Sequence, residues 1–263
     1  MTQLTETSGE GSRSAPLIQG PAKFVSDVWT VLEIKTIFIM KGWFLWAVRP
    51  LVFPAGIFYW LTILAPDDPD ATRRIMTGAI IFGFSMSTAN LLAQQIMIDW
   101  FAGRLKLLIT MPMSKAAYAV GILGFAAVQS FPSVGLLLGL AAIADINFQL
   151  NWTFFPMIIL VLLVMSGLTF IIVSFAPSQE TGSIMANLAG VVLVVLSPVF
   201  FTMEQAPLPL QWLGWVSPMR YAADGIITSL SGSSDVWQEL AVMSGFAAAM
   251  ITLGVWKMRW RQR

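Results

Sequence analysis

Six stretches of the chain stay apolar for about 20 residues or more: roughly 43–65, 75–98, 117–144, 153–175, 181–203 and 236–256. A helix of about 20 residues rises roughly 30 Å, enough to cross the hydrocarbon of a bilayer. Each stretch therefore predicts a membrane-spanning helix. Pro50, Pro54 and Pro132 fall inside spans, where neighbouring helices satisfy the carbonyls a proline frees. Residues 22–41 follow another rhythm. Lys23, Ser26, Asp27, Thr30, Glu33 and Thr36 recur at three- and four-residue steps among Phe24, Val25, Val28, Trp29, Val31, Leu32 and Phe38. This is helical amphipathicity, and the adjacent span favours a helix lying on the membrane surface over an ordinary soluble one. Residues 1–20, rich in Gly, Ser, Thr and Glu, read as a disordered cytosolic tail, which leaves 21–263 as a single domain. The segment 205–230 is apolar but broken by Pro207, Pro209 and Pro218. It is too interrupted for a clean span and too apolar for an exposed loop. Two short helices dipping into the outer leaflet, a re-entrant hairpin, fit both facts; a surface hairpin with no gating role is the other reading. The fold expected is all-α and polytopic, with six transmembrane helices.

Composition agrees. The chain is 57% hydrophobic and 11% charged, against about 25% charged in soluble domains. Its net charge is +1, which leaves no nucleic-acid footprint. There is no cysteine and no histidine. That excludes disulfides, thiolate metal sites and cysteine nucleophiles, and it removes the commonest general base and metal ligand. The opening stretch has no charged n-region leading into an apolar core, so no signal peptide is expected. Lys and Arg set the orientation. With the N-terminus inside, the inner side carries Arg13, Lys23, Lys35, Lys41, Arg49, Arg104, Lys106, Lys115, Lys257, Arg259, Arg261 and Arg263. The outer side carries Arg73, Arg74 and Arg220. Both termini are therefore expected in the cytoplasm.

The second to fifth spans hold no Asp, Glu, Lys, Arg or His. A proton-driven transporter needs such groups within the membrane. An actively transporting chain of this kind draws its energy from outside the bilayer, although a sodium site built from neutral oxygens stays open. The neutral polar residues form stripes. Gly83, Ser87, Asn90 and Gln94 share one face of the second span. Gly182, Ala186 and Gly190, flanked by Ser183 and Asn187, share one face of the fifth, and Gly135 and Gly139 mark the third. Small residues permit close helix approach, and amides hydrogen-bond between helices. For Gly135 and Gly139 the expectation is packing within the chain.

The segment Asp99-Trp100-Phe-Ala-Gly103-Arg104-Leu105-Lys106, continuing to Pro112 and Lys115, resembles the signature loop of the type-2 ATP-binding-cassette (ABC-2) permeases. The pattern there is an acidic residue, a Gly, a basic-Leu step, then a Pro and a basic residue before the next span. A positive-inside anchor with a connecting helix is the alternative reading of the loop. A second likeness runs through Ser197-Pro198, Glu204, Pro209, Trp212 and Ser217-Pro218-Met-Arg220. It is similar to the outer end of the fifth span and the hairpin after it in the same family, with Ser217 where Asn is commoner. Surface helix, spans, loop and hairpin together extend the resemblance over essentially the whole chain.

The resemblance implies the membrane subunit of an exporter in the bacterial inner membrane. It would be driven by two separate cytosolic ATPase subunits and paired with a second permease copy, a homodimer by expectation. ATP and Mg would bind the partner ATPase and no cofactor this chain, which has no Gly-x-x-x-x-Gly-Lys-Ser/Thr loop and so no ATPase site of its own. Asp99, Trp100, Gly103, Arg104, Leu105, Lys106, Pro112 and Lys115 would couple to the ATPase. Ser87, Asn90, Gln94, Ser183 and Asn187 would line the path or the dimer seam. Pro198, Glu204, Pro209, Trp212, Pro218 and Arg220 would form the outer gate. The cargo implied is an amphipathic drug, lipid or lipid-linked glycan. An ion-gradient-driven transporter or channel is the competing class. An intramembrane enzyme lacks the charged half of a site.

Overall fold

The computed structural model describes residues 20–40, 43–64, 69–101, 113–144, 146 and 148–257. The expected tail, residues 1–20, lies outside them except for Gly20. The helices are α1 (Pro21–Met40), α2 (Trp43–Leu64), α3 (Pro69–Phe101), α4 (Lys115–Ile143), α5 (Phe154–Phe175), α6 (Gln179–Val195), α7 (Leu208–Val216), α8 (Pro218–Leu230) and α9 (Trp237–Lys257), with a 3-10 turn at Met203–Gln205. Among the described residues there is no strand, and the one extended pairing is an isolated bridge between Gln149 and Ser231. The boundaries have local causes. The Ser114 hydroxyl accepts from the Ala117 amide at 3.1 Å to open α4, and Ser178 does the same for Thr181 at 3.2 Å to open α6. Ser217 caps α8 ahead of Pro218, where a missing N–H costs nothing.

Three helices among the described residues are long and apolar enough to cross a membrane: Asp70–Phe101, Ala116–Ile143 and Phe154–Phe175. Within α2, Pro54–Ile63 is a shorter apolar stretch, and α6, Gln179–Val195, is a shorter apolar helix. The fifth stretch departs from expectation. Its helix stops at Val195 instead of running to 203. Pro198 has no N–H to donate, and the Ser197 hydroxyl turns back onto the Leu193 carbonyl, so residues 196–202 leave the helix.

The central element is α3, which packs against α2, α4, α5, α6 and α8. Its 33 residues span about 50 Å, more than the roughly 30 Å of bilayer hydrocarbon. That length places Arg74 and Asp99 near opposite ends, with no ionisable residue from Ile75 to Ile98. The core follows α3: Met76, Ile80, Ile81, Phe84, Leu92, Ile96 and Met97 are fully buried. The most extensive helix pairing among the described residues is α5 with α9. A side chain at Gly167 would meet the Met250 and Ile251 backbone at 2.5–2.7 Å, and one at Gly254 would meet the Gly167 carbonyl at 2.9 Å. At α1–α4, a side chain at Gly121 would sit 2.6 Å from Val31, and one at Gly124 2.9 Å from Leu32. Small residues thus let the helices touch. Gly135 and Gly139 do not follow. Among the described residues, side chains there would meet nothing within 4 Å, because that face of α4 looks outward, so the described helices do not give the packing expected there.

Candidate functional site

The two ends of α3 carry the ionisable chemistry. At the Asp99 end, an acidic side chain sits two residues before the helix stops, where the helix dipole disfavours it. Two other helices compensate. Lys35 of α1 places Nζ 2.7 and 2.6 Å from the two Asp99 oxygens and donates to Gln95 Oε1 at 3.1 Å. The Tyr118 hydroxyl of α4 donates to Asp99 Oδ2 at 2.8 Å. The Asp99 side chain is 2% exposed and that of Lys35 11%. An ion pair so dry needs its remaining lone pairs and protons satisfied; Tyr118 donates to the carboxylate and Gln95 accepts from the ammonium. Three helices are thereby joined at one point, immediately before residues 102–112.

This changes the reading of the signature segment. Asp99 belongs to α3 and faces α1 and α4 rather than a soluble partner. Trp100 packs half-buried on the neighbouring core. Lys115 opens α4. Gly103, Arg104, Leu105, Lys106 and Pro112 lie outside the described residues. Lys35, Gln95 and Tyr118 were missed. Lys35 and Asp99 are 64 residues apart; in the sequence Lys35 counts only among the inner-side cations and Asp99 only as the acidic residue of the signature segment.

Midway along the bundle the amide stripe joins α3 to α6. Asn90 Nδ2 donates to Asn187 Oδ1 at 3.1 Å, Gln94 Nε2 donates to Asn90 Oδ1 at 2.6 Å, and Asn187 Nδ2 donates to the Ser183 carbonyl at 2.9 Å. The three amides are half-buried. Ser87 is separate: it is buried and accepts from Ser130 of α4 at 3.3 Å, while Ser130 also meets Thr88 at 3.2 Å. Asn187→Ala is expected to cost about 1 kcal/mol, the usual worth of an interhelical amide bond. Thermal unfolding of the purified protein reads this, and an unchanged transition would mean the bond carries no net energy.

At the Arg74 end lies the hairpin. Arg74 Nη1 is 3.8 Å from Asp224 Oδ1 and donates to the Phe201 carbonyl at 3.4 Å. Arg220 Nε is 3.5 Å from Asp224 Oδ2, and its guanidinium lies 4.3 Å over the Trp215 ring. Burial raises the Asp224 carboxyl above its ordinary value, while the two guanidiniums pull it down without cancelling that rise. The Ser197 and Ser217 hydroxyls bond across the base of the hairpin. Pro198 and Pro218 are buried; Glu204, Pro209 and Trp212 are exposed. The two adjacent outer arginines part ways: Arg73 takes Asp70 at 3.1 Å, and Arg74 reaches the hairpin. No spacing rule in the sequence connects Arg74 with Asp224.

No cluster of metal ligands occurs among the described residues. The outward faces of the helices are strongly apolar: Val25, Trp60, Leu136, Phe155, Leu188 and Trp212 are all exposed. Such a surface is stable only in lipid or against another apolar partner. No curated protein matches the chain. The sequence profile of the ABC-2 type transporter matches residues 28–230, from within α1 to the end of α8. A membrane protein whose family profile spans most of its length in this way belongs to the ABC-2 type transporters and is the permease component, not the ATPase, of an ATP-binding-cassette system.

Proposed function

We propose that the chain is the membrane-spanning subunit of an exporter that moves an amphipathic or lipid-linked cargo outward, using ATP hydrolysed by two separate cytosolic subunits. It works as a pair of copies in the bacterial inner membrane with both termini inside. Six helices, α2 to α6 and α9, cross the bilayer, α1 lies on the inner surface, and α7–α8 dip into the outer leaflet as the gate. The observation that carries this reading is the Lys35–Asp99–Tyr118 junction. It binds α1, α3 and α4 into one end of the bundle directly before residues 102–112 in the chain, so force entering through that segment moves three helices together. The neutral run from Ile75 to Ile98 supports an external energy source over a proton relay.

Arg104 and Lys106 are proposed to pair with acidic groups on the ATPase, as oppositely charged patches do. Arg104→Glu with Lys106→Glu should leave insertion and pairing intact, since no span changes. The ATPase should then dissociate, or hydrolyse ATP without export. Co-purification and ATP-dependent export in proteoliposomes test this. Normal binding and export in the double variant would remove the coupling role, and export by the wild-type chain without any ATPase would remove the exporter reading.

A further inference from the structure

An apolar cavity of about 310 Å³ lies where the hairpin meets the bundle. Leu168 of α5, Leu193 of α6 and Phe246 of α9 form its walls, and Leu213, Val216 and Pro218 of the hairpin cover it. Its polar groups are the Ser197 and Ser217 hydroxyls, and both are already engaged. They bond to each other, Ser197 also donates to the Leu193 carbonyl, and Ser217 accepts from the Met219 amide at 3.3 Å. A polar ligand finds no free partner there, whereas a hydrocarbon needs none. Apolar cavities of about 150 Å³ stay dry and take up benzene, and this one is twice that size.

Two observations identify the medium at its mouth. The rim residues Val192, Leu196, Leu213 and Val216 are exposed, Val216 by 71%. They therefore open onto the lateral surface, which in a membrane protein faces lipid. Trp212 and Trp215 of α7 and Trp237 at the start of α9 are also exposed at this end. Tryptophan collects at the headgroup level, so the space beneath α7 begins where acyl chains begin.

We propose that this cavity seats an acyl chain of a bilayer phospholipid between α5, α6, α9 and the hairpin. The chain supports the hairpin from below, and any movement of α7–α8 away from the bundle must displace it. This inference rests on membrane residence and not on the direction of transport.

The test uses the full complex in phosphatidylcholine nanodiscs doped with a phospholipid bearing a diazirine near the end of one acyl chain. After irradiation, adducts are mapped by mass spectrometry. Adducts at Leu168, Leu193 and Phe246 should exceed those at the equally apolar surface residues Leu136 and Leu140 by at least about fivefold, the ratio for a preference of about 1 kcal/mol. Leu168→Trp, which fills the cavity, should abolish that excess and leave labelling of α4 unchanged. Val192→Trp at the exposed rim should do the same should the first variant fail to fold. A diazirine at the glycerol end should not label these positions. Equal labelling of cavity and surface, or full labelling in a filled variant that folds, overturns the proposal. So does efficient disulfide formation between copies carrying Val216→Cys, which would show a second chain covering the mouth; the absence of native cysteine makes that readout clean.

Discussion

Lys35→Met or Asp99→Asn alone is expected to lower stability by about 3–5 kcal/mol, the cost of leaving one member of a buried pair uncompensated. The geometry is what makes the effect large. Lys35 reaches both Asp99 oxygens within 2.7 Å, and Asp99 has almost no access to water. In Lys35→Met the carboxylate keeps the Tyr118 hydroxyl but loses its countercharge, at a helix end whose dipole already opposes it. The α1 helix should then detach from α3. Thermal unfolding and size exclusion of the purified variants measure the loss. Replacing the whole cluster with Lys35→Met, Asp99→Leu and Tyr118→Phe should recover much of the stability, because no buried charge is then left unpaired, although the Gln95 amide loses its Lys35 partner. If the junction also carries force from residues 102–112, the triple variant folds yet exports poorly. Single variants that unfold like the wild type would sink the account.

Gly167→Leu should prevent α5 and α9 from packing and leave little folded protein, while Gly135→Leu should be nearly silent for folding of the chain. The first substitution places atoms against the Met250 and Ile251 backbone, which has no rotamer to yield. Overpacking commonly costs about 1–3 kcal/mol and more when the obstacle is rigid. The second substitution enters open space on α4. Expression and monodispersity of the two variants decide the matter. A folded Gly167→Leu protein would show that the α5–α9 approach is looser than described. A collapsed Gly135→Leu protein would show that a partner helix covers that face.

Much of this protein was legible in its sequence, because a bilayer imposes its demands locally. Long apolar runs, amphipathic 22–41 and proline-broken 205–230 each announce a helix, since backbone groups in lipid must be satisfied within the segment. The starts of α2, α5 and α9 fall within a residue or two of the expected stretches. The signature segment at 99–115 and the hairpin pattern pointed to the family that the profile match then established. Tertiary structure alone decided which polar residues meet. Lys35 finds Asp99, Arg74 finds Asp224, and Asn90 finds Asn187, across 64, 150 and 97 residues. No periodicity relates such positions, because each pairing depends on how whole helices stack. The glycines carry the same lesson. Gly135 and Gly139 have the spacing of a packing motif yet face outward, whereas Gly121 and Gly167, without that spacing, bring helices into contact. Spacing determines which residues share a helix face. Only the packed bundle determines what that face meets.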